Sequence, residues 1–256
     1  MAGSTQHPLL ARYAQVRAQL AQRYGPDSQA VVFLLYEELL SLRTVLLENR
    51  AAREVGARVG ALAREIQRRY DHGGIVSAGR DRRRLVHTDP PLIEYDRPAF
   101  DRMYAPLLDD RRPDVLHVAS AADAFAALSP GSTHIYVVDD RDRLLVWPEP
   151  FTLAETVFGR TPDRRRQGAR VVHPMLVPER LRVRAAGELV LLGDAHDCMV
   201  VANLKSGHFL PPPACAPALR TVLERVLPVA PGDVDIFTLP EPPPGPRAAN
   251  RVDALR

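Results

Sequence analysis

Three short segments hold the side chains best suited to chemistry: Val172-His173-Pro174-Met175-Leu176, Ala185-Ala186-Gly187-Glu188, and Asn203-Leu204-Lys205-Ser206-Gly207-His208-Phe209-Leu210-Pro211. Together they supply two imidazoles, a carboxylate, an ammonium, a hydroxyl and a carboxamide. Imidazole titrates near neutral pH, so His208 or His173 beside Glu188 makes a general acid–base pair. Lys205, Ser206 and Asn203, with nearby backbone N–H groups, have the donors to hold a phosphate or carboxylate. His208, Glu188 and His173 are therefore the candidate catalytic residues, and Lys205, Ser206 and Asn203 the candidate ligand-binding residues. A structural role is the competing account. In it Ser206 and Asn203 cap a turn, Gly207 supplies a positive φ, His208 bonds a buried carbonyl, and Glu188 pairs with an arginine. Ser206 lacks the two flanking glycines of a nucleophile elbow.

Lys205 is the one lysine among 34 basic residues. The arginine bias, with abundant alanine and proline, has the mark of a GC-rich bacterial coding sequence. A compact, deprotonatable ammonium is nevertheless something arginine cannot replace.

Other constellations offer less. His134 with Asp139 and Asp140 has no metal-ligand spacing and reads as a hairpin turn, and His196-Asp197-Cys198 reads as a tight turn. Two cysteines, Cys198 and Cys215, are too few for a disulfide framework and form no CxxC knuckle. No metal site is indicated, and no cofactor is specified. No P-loop, GxGxxG after a strand, or HExxH occurs. The net charge of +3, with charges of both signs interleaved, gives no strong case for nucleic acid.

The ordered set His173 to Leu176, Ala185 to Glu188 and Ser206 to Pro211 resembles a domain of plant IQ-motif calmodulin-binding proteins. That domain also occurs in bacterial effector-like and toxin-associated proteins. Its pattern runs His-Ser-Ser-Phe-Leu, Ala-Ala-Gly, then Ser-Gly-His-Tyr-x-Pro, and the resemblance covers roughly residues 130–240. Pro174 and Met175 stand where the pattern has two serines, and Phe209 where it has tyrosine. Ile66-Gln67 opens like an IQ motif, but Asp71 occupies the position of its arginine. The resemblance implies a shared shape and a candidate pocket more than a defined reaction.

The elements that must position these residues follow from periodicity. Leu9, Tyr13, Val16 and Leu20 predict a helix over 8–24, stopped by Gly25-Pro26, with Asp27 or Ser28 capping the next. Val31, Leu34, Leu35, Leu39, Leu42, Val45 and Leu46 predict a second helix. Val55, Val59, Leu62 and Ile66 continue it or fold back on it, and Gly56 and Gly60 suggest close backbone approach. Residues 73–91 read as a linker or exposed loop. Short helices are expected over 99–108 and 121–128, and a β-hairpin over 134–147. Further strands are expected at 169–172, 181–185, 188–192, 198–202 and 233–239, with a helix over 217–227. The tail from Pro240 reads as mobile.

The expected fold class is α+β: an N-terminal helical hairpin or bundle (1–72), a linker (73–91), a mixed, mainly antiparallel sheet domain with flanking helices (92–239), and the proline-rich tail. No stretch approaches a membrane span, and the N-terminus has no signal-peptide character. A cytoplasmic location, or delivery by a signal-independent secretion system, is expected. The function these observations favour is binding of a small anionic ligand, nucleotides included, in a polar pocket of the C-terminal domain, with a transferase or hydrolase activity. The alternative is a non-catalytic interaction module whose N-terminal helices dock a protein partner or self-associate.

Overall fold

Three helices open the chain: α1 (Pro8–Tyr24), α2 (Gln29–Glu48) and α3 (Arg53–Asp71). Pro8 sits in the first turn of α1, where its missing N–H costs nothing, and Gly25 ends the helix at φ 89°. Ser28 occupies the N-cap position of α2, but its hydroxyl makes no capping bond. Asp27 instead pairs with Arg69 of α3. α3 is a separate helix that folds back on α2. Gly56 and Gly60 do not serve close backbone approach: nothing lies within 4 Å of a Cβ built at Gly56, and only the Arg64 side chain meets one at Gly60. Leu39, Leu42, Leu62 and Ile66 make the seam between the two helices, and each is fully buried.

The computed structural model describes residues 7–73, 84–110, 114–158 and 171–240. After the helices come β1 (Leu85–His87), β2 (Ile93–Tyr95), α4 (Arg97–Met103), α5 (Ala105–Asp110), β3 (Leu116–Val118) and α6 (Ala121–Ala127). Then follow β4 (Thr133–Asp139), β5 (Leu144–Val146), α7 (Leu153–Phe158), β6 (Arg182–Gly193), β7 (Cys198–Asn203), α8 (Ala216–Val226) and β8 (Val234–Phe237). The eight strands form one sheet in which every pairing is antiparallel except β7 with β8. The fold is therefore α+β, helices first and a mainly antiparallel sheet after them.

Strand β6 organises the sheet. β4 lies along one of its edges from Val183 to Val190. β2 pairs with Arg182 and Val183, and β7 with Leu189 to Gly193. A strand has two edges, so β2 and β7 must share the other one, end to end. Between Val183 and Leu189, no described strand covers that edge.

Alternation along β6 and β7 gives the sheet two buried faces. Leu189, Leu191, Cys198, Val200 and Ala202 face a core completed by α4, α6, α8 and the 3₁₀ turn His173–Leu176. Val190, Leu192, Met199 and Val201 face α1–α3, and Phe237 of β8 joins them. The helical region and the sheet thus share one core, and the apolar stripes of α2 and α3 are covered from within. Buried charges reinforce the seam. Arg43 of α2 donates to Asp235 at 3.0 Å and to the Gly232 carbonyl at 2.8 Å. Glu38, 1 % exposed, receives a bidentate pair from Arg58 at 2.6 and 2.7 Å.

Several details depart from the sequence expectations. The segment read as linker contains β1, paired with β2, while residues 74–83 lie outside the described residues. The strands expected at 181–185 and 188–192 are one continuous strand, β6. Val171 and Val172 belong to no strand. The strand expected at 169–172 otherwise falls outside the described residues, as does the tail beyond Pro240. The hairpin over 133–146 is present, its turn closed by Asp139, whose carboxylate accepts the N–H groups of Arg141 and Arg143. Among the described residues, no helix is long and apolar enough to cross a membrane.

Candidate functional site

The three chemical segments meet where β7 leaves β6. Glu188 and Asn203 lie one residue beyond the last pair of the β6–β7 ladder, Leu189 with Ala202, and the Glu188 backbone N–H donates to the Asn203 side-chain Oδ1 at 3.1 Å. The Asn203 carbonyl is diverted to the Tyr136 hydroxyl at 2.9 Å. Asn203 Oδ1 accepts a second N–H, that of Lys205, at 2.9 Å, and Asn203 Nδ2 donates to Glu188 Oε2 at 3.0 Å. One carboxamide therefore ends the ladder, starts the loop and holds the carboxylate. Gly187 makes this possible: a Cβ there would lie 1.9 Å from the Asn203 carbonyl oxygen.

From Asn203 the chain bends into a tight turn. Ser206, fully buried, accepts the Phe209 N–H on its hydroxyl at 3.2 Å and the Leu210 N–H on its carbonyl at 2.9 Å. The left-handed backbone expected of Gly207 is found at Leu210, at φ 47°, a strained state for a side-chain-bearing residue. The turn delivers two rings to Tyr95 at the end of β2. Phe209 lies 6.1 Å from it and His208 6.5 Å, centroid to centroid.

The candidate residues separate into two groups. His208 is partly exposed. Its Nε2 shares a 2.8 Å hydrogen bond with the Tyr104 hydroxyl, and the Tyr104 ring meets it edge-on at 5.4 Å. His173 stands 6.4 Å from His208, ring to ring. It is buried, and its Nε2–H donates to the Gly187 carbonyl at 3.0 Å. That nitrogen is thus a proton carrier held in place, not a free base. His173, His208, Tyr95 and Tyr104 form one cluster.

Glu188, Asn203 and Lys205 form the other, toward the helical layer. The Lys205 ammonium donates to the Thr156 carbonyl in the last turn of α7. A cation there satisfies a carbonyl that the helix leaves without an internal partner. Behind Asn203 lie two buried phenols, Tyr36 of α2 and Tyr70 of α3, whose hydroxyls are 2.5 Å apart. Tyr70 stacks on Phe237, the residue opposite Asn203 in the β7–β8 ladder. Burial pushes the Tyr36, Tyr70 and Tyr136 phenols well above their ordinary range, and the nearby Glu188 carboxylate adds to the shift. All three stay protonated and available as donors. Burial also pushes the Cys198 and Cys215 thiols up to about 12, which leaves neither as a ready nucleophile. Among the described residues, no three His, Cys, Asp or Glu side chains cluster as metal ligands would.

The tyrosines are the residues that sequence reasoning missed. Tyr36 and Tyr70 sit within apolar helical stripes, and a phenol buried there needs a polar partner, which was the available signal. Tyr95 and Tyr104 carried no comparable mark. No protein-family model, curated protein or solved structure matches the chain.

Proposed function

We propose that this protein binds a small polar ligand at the cluster of His208, Tyr104, Tyr95 and His173, with His208 as the contacting residue. One observation carries the reading: His173, Glu188, Lys205, Ser206 and Asn203 are all buried, whereas His208 is partly open and is positioned by a tyrosine hydroxyl. Aromatic walls with an imidazole and a phenol suit a ligand that has a planar ring and an anionic group, such as a nucleotide. The His208–Tyr104 pair can also pass a proton, so a transferase or hydrolase chemistry with His208 as the acid–base group is the catalytic form of this proposal. In it Glu188, Lys205, Ser206 and Asn203 hold the loop rather than the ligand. Docking of a protein through α2 and α3 draws no support from their apolar stripes, which the sheet covers.

A thermal-shift screen against nucleotides, NAD, sugar phosphates and amino acids tests the proposal. A ligand at 100 times its Kd stabilises the folded state by about 2.7 kcal/mol, a melting shift on the order of 5–10 °C for a chain of this size. The shift is expected in the wild type, reduced in Tyr104→Phe and absent in His208→Ala. A compound that stabilises His208→Ala as much as the wild type would place binding elsewhere, and a screen with no stabilising compound would count against the reading.

A further inference from the structure

We infer that Arg97 is a positioning residue for the His208 cluster: its guanidinium clips α4, which presents Tyr104, to the connector that follows His173, and so fixes the two sides of the cluster against each other. One side is aromatic. Tyr95 ends β2, Asp96 caps α4 by accepting the Ala99 N–H at 3.3 Å, and Tyr104 closes the helix with its hydroxyl on His208 at 2.8 Å. The other side is the buried 3₁₀ turn His173–Leu176, which runs through residues 177–181 into β6. Arg97 joins them. Its Nη1 donates to the Pro178 carbonyl at 2.7 Å and its Nη2 to the Glu179 carbonyl at 2.5 Å. The Tyr95 N–H donates to the Leu181 carbonyl at 2.9 Å, so the two segments are stitched by three hydrogen bonds.

A clip at the first residue of α4 reaches Tyr104 because the helix is short and stiff. Arg97, Phe100 and Tyr104 follow one another along a single helical face, about 10 Å from end to end. The guanidinium sits over the Phe100 ring at 5.5 Å, and the Phe100 and Tyr104 rings are 6.1 Å apart. Phe100 is buried in the core and serves as the pivot, while Arg97 and the bond to His208 hold the two ends. The connector also needs an outside hold. Leu181 has left-handed backbone at φ 54°, a state that a side-chain-bearing residue keeps only where its surroundings impose it. A guanidinium offers two nitrogens in a rigid fork, which meet the carbonyls of adjacent residues at once, whereas an ammonium makes a point contact. The ion pair of Arg97 with Asp101, at 3.7 Å, stays within α4 and does not reach the connector.

This inference rests on the cluster being a site, but its test needs no ligand. Arg97→Lys keeps the charge and loses the fork, and Tyr104→Phe removes the hydroxyl that meets His208. Urea titration of both variants and of the double variant measures their coupling. Tyr104→Phe is expected to raise the unfolding constant roughly tenfold in the wild-type background, the contribution of one well-made hydrogen bond, and by about threefold or less beside Arg97→Lys. The His208 ring, followed by NMR, is expected to titrate in Arg97→Lys at a midpoint displaced toward that of Tyr104→Phe. Arg182→Ala is the control. It removes an arginine of matching exposure, 43 % against 44 %, whose 2.9 Å bond goes to Glu94, and should change neither the midpoint nor the cost of Tyr104→Phe. Arg97→Gln supplies the same readouts if Arg97→Lys does not fold. Additive effects of Arg97→Lys and Tyr104→Phe, or a His208 midpoint unchanged in Arg97→Lys, would overturn the inference even if Arg97→Lys is less stable overall. A ligand screen that fails would count against the site and leave this coupling standing, so the two readings fail separately.

Discussion

Gly187→Ala should be among the most damaging single-methyl additions the chain can suffer. The new Cβ would sit 1.9 Å from the Asn203 carbonyl oxygen, 2.8 Å from its carbonyl carbon and 3.1 Å from Oδ1. Ordinary contact begins near 3.4 Å, so the strands must part by about 1.5 Å. That displacement stretches the 2.9 Å bond from Tyr136 beyond hydrogen-bonding range and disturbs the 3.0 and 3.1 Å bonds between Asn203 and Glu188. Stranding one or two buried polar groups costs about 1–3 kcal/mol each, and overpacking alone costs a similar amount. The expected loss is about 3–5 kcal/mol, a large part of the roughly 5–15 kcal/mol available to a folded protein. Urea titration followed by circular dichroism should show the midpoint falling by ~1 M or more. Gly56→Ala is the matched control, since nothing lies within 4 Å of its Cβ. In the body of α3 that change should stabilise by about 0.5–1 kcal/mol. A Gly187→Ala protein within about 1 kcal/mol of wild type would refute the claim that the β6–β7 approach holds Asn203.

Three further substitutions test the helical layer and the sheet. Arg58→Ala leaves the Glu38 carboxylate buried with Arg17, at 3.8 Å, as its remaining cation among the described residues, and should cost about 2–3 kcal/mol by urea titration. Arg68→Ala, whose exposed pair with Glu65 is screened by solvent, should leave the urea midpoint essentially where it is in the wild type. His134, fully enclosed in β4, has its imidazole pushed below the ordinary range by burial, despite the bond between its Nδ1 and the Trp147 carbonyl at 3.3 Å. The unfolded chain therefore takes up the proton first. Stability from this residue is complete above pH ~6.5 and declines as pH falls below that value, and His134→Asn should flatten that part of the wild-type stability profile measured from pH 7.5 to 5.

What the sequence disclosed, and what it hid, follows from the range of the interactions involved. Helices α1–α3 were legible because their stripes repeat over many turns and Gly25 punctuates them, and the β4–β5 hairpin because Asp139 to Asp142 is turn chemistry at the end of a β-branched run. β1, β2 and β3 are three residues each, too short for alternation to speak. β6 was expected as two strands, 181–185 and 188–192, with Ala186-Gly187 left between them. In the fold those small residues are the place where another backbone and Tyr136 come close, so the break in pattern marked a contact and not an end. The site itself was half legible. The residues that approach one another were named, yet they were expected to converge on one pocket. Alternation along β6 argues otherwise: Glu188 shares its face with Val190 and Leu192, which pack on the helices, and so does Asn203 with Val201 and Met199 on β7. His208 lies beyond the strand, where the turn is free to carry it toward Tyr95 and Tyr104. The partners that give these residues their roles come from far along the chain, Thr156 to Lys205 and Tyr104 to His208, and no local spacing encodes such pairs. The N-terminal helices consequently cannot be treated as an accessory to the sheet domain. They cover one face of β6 and β7, the face from which Glu188 and Asn203 project, and their phenols pack on Phe237 beside Asn203.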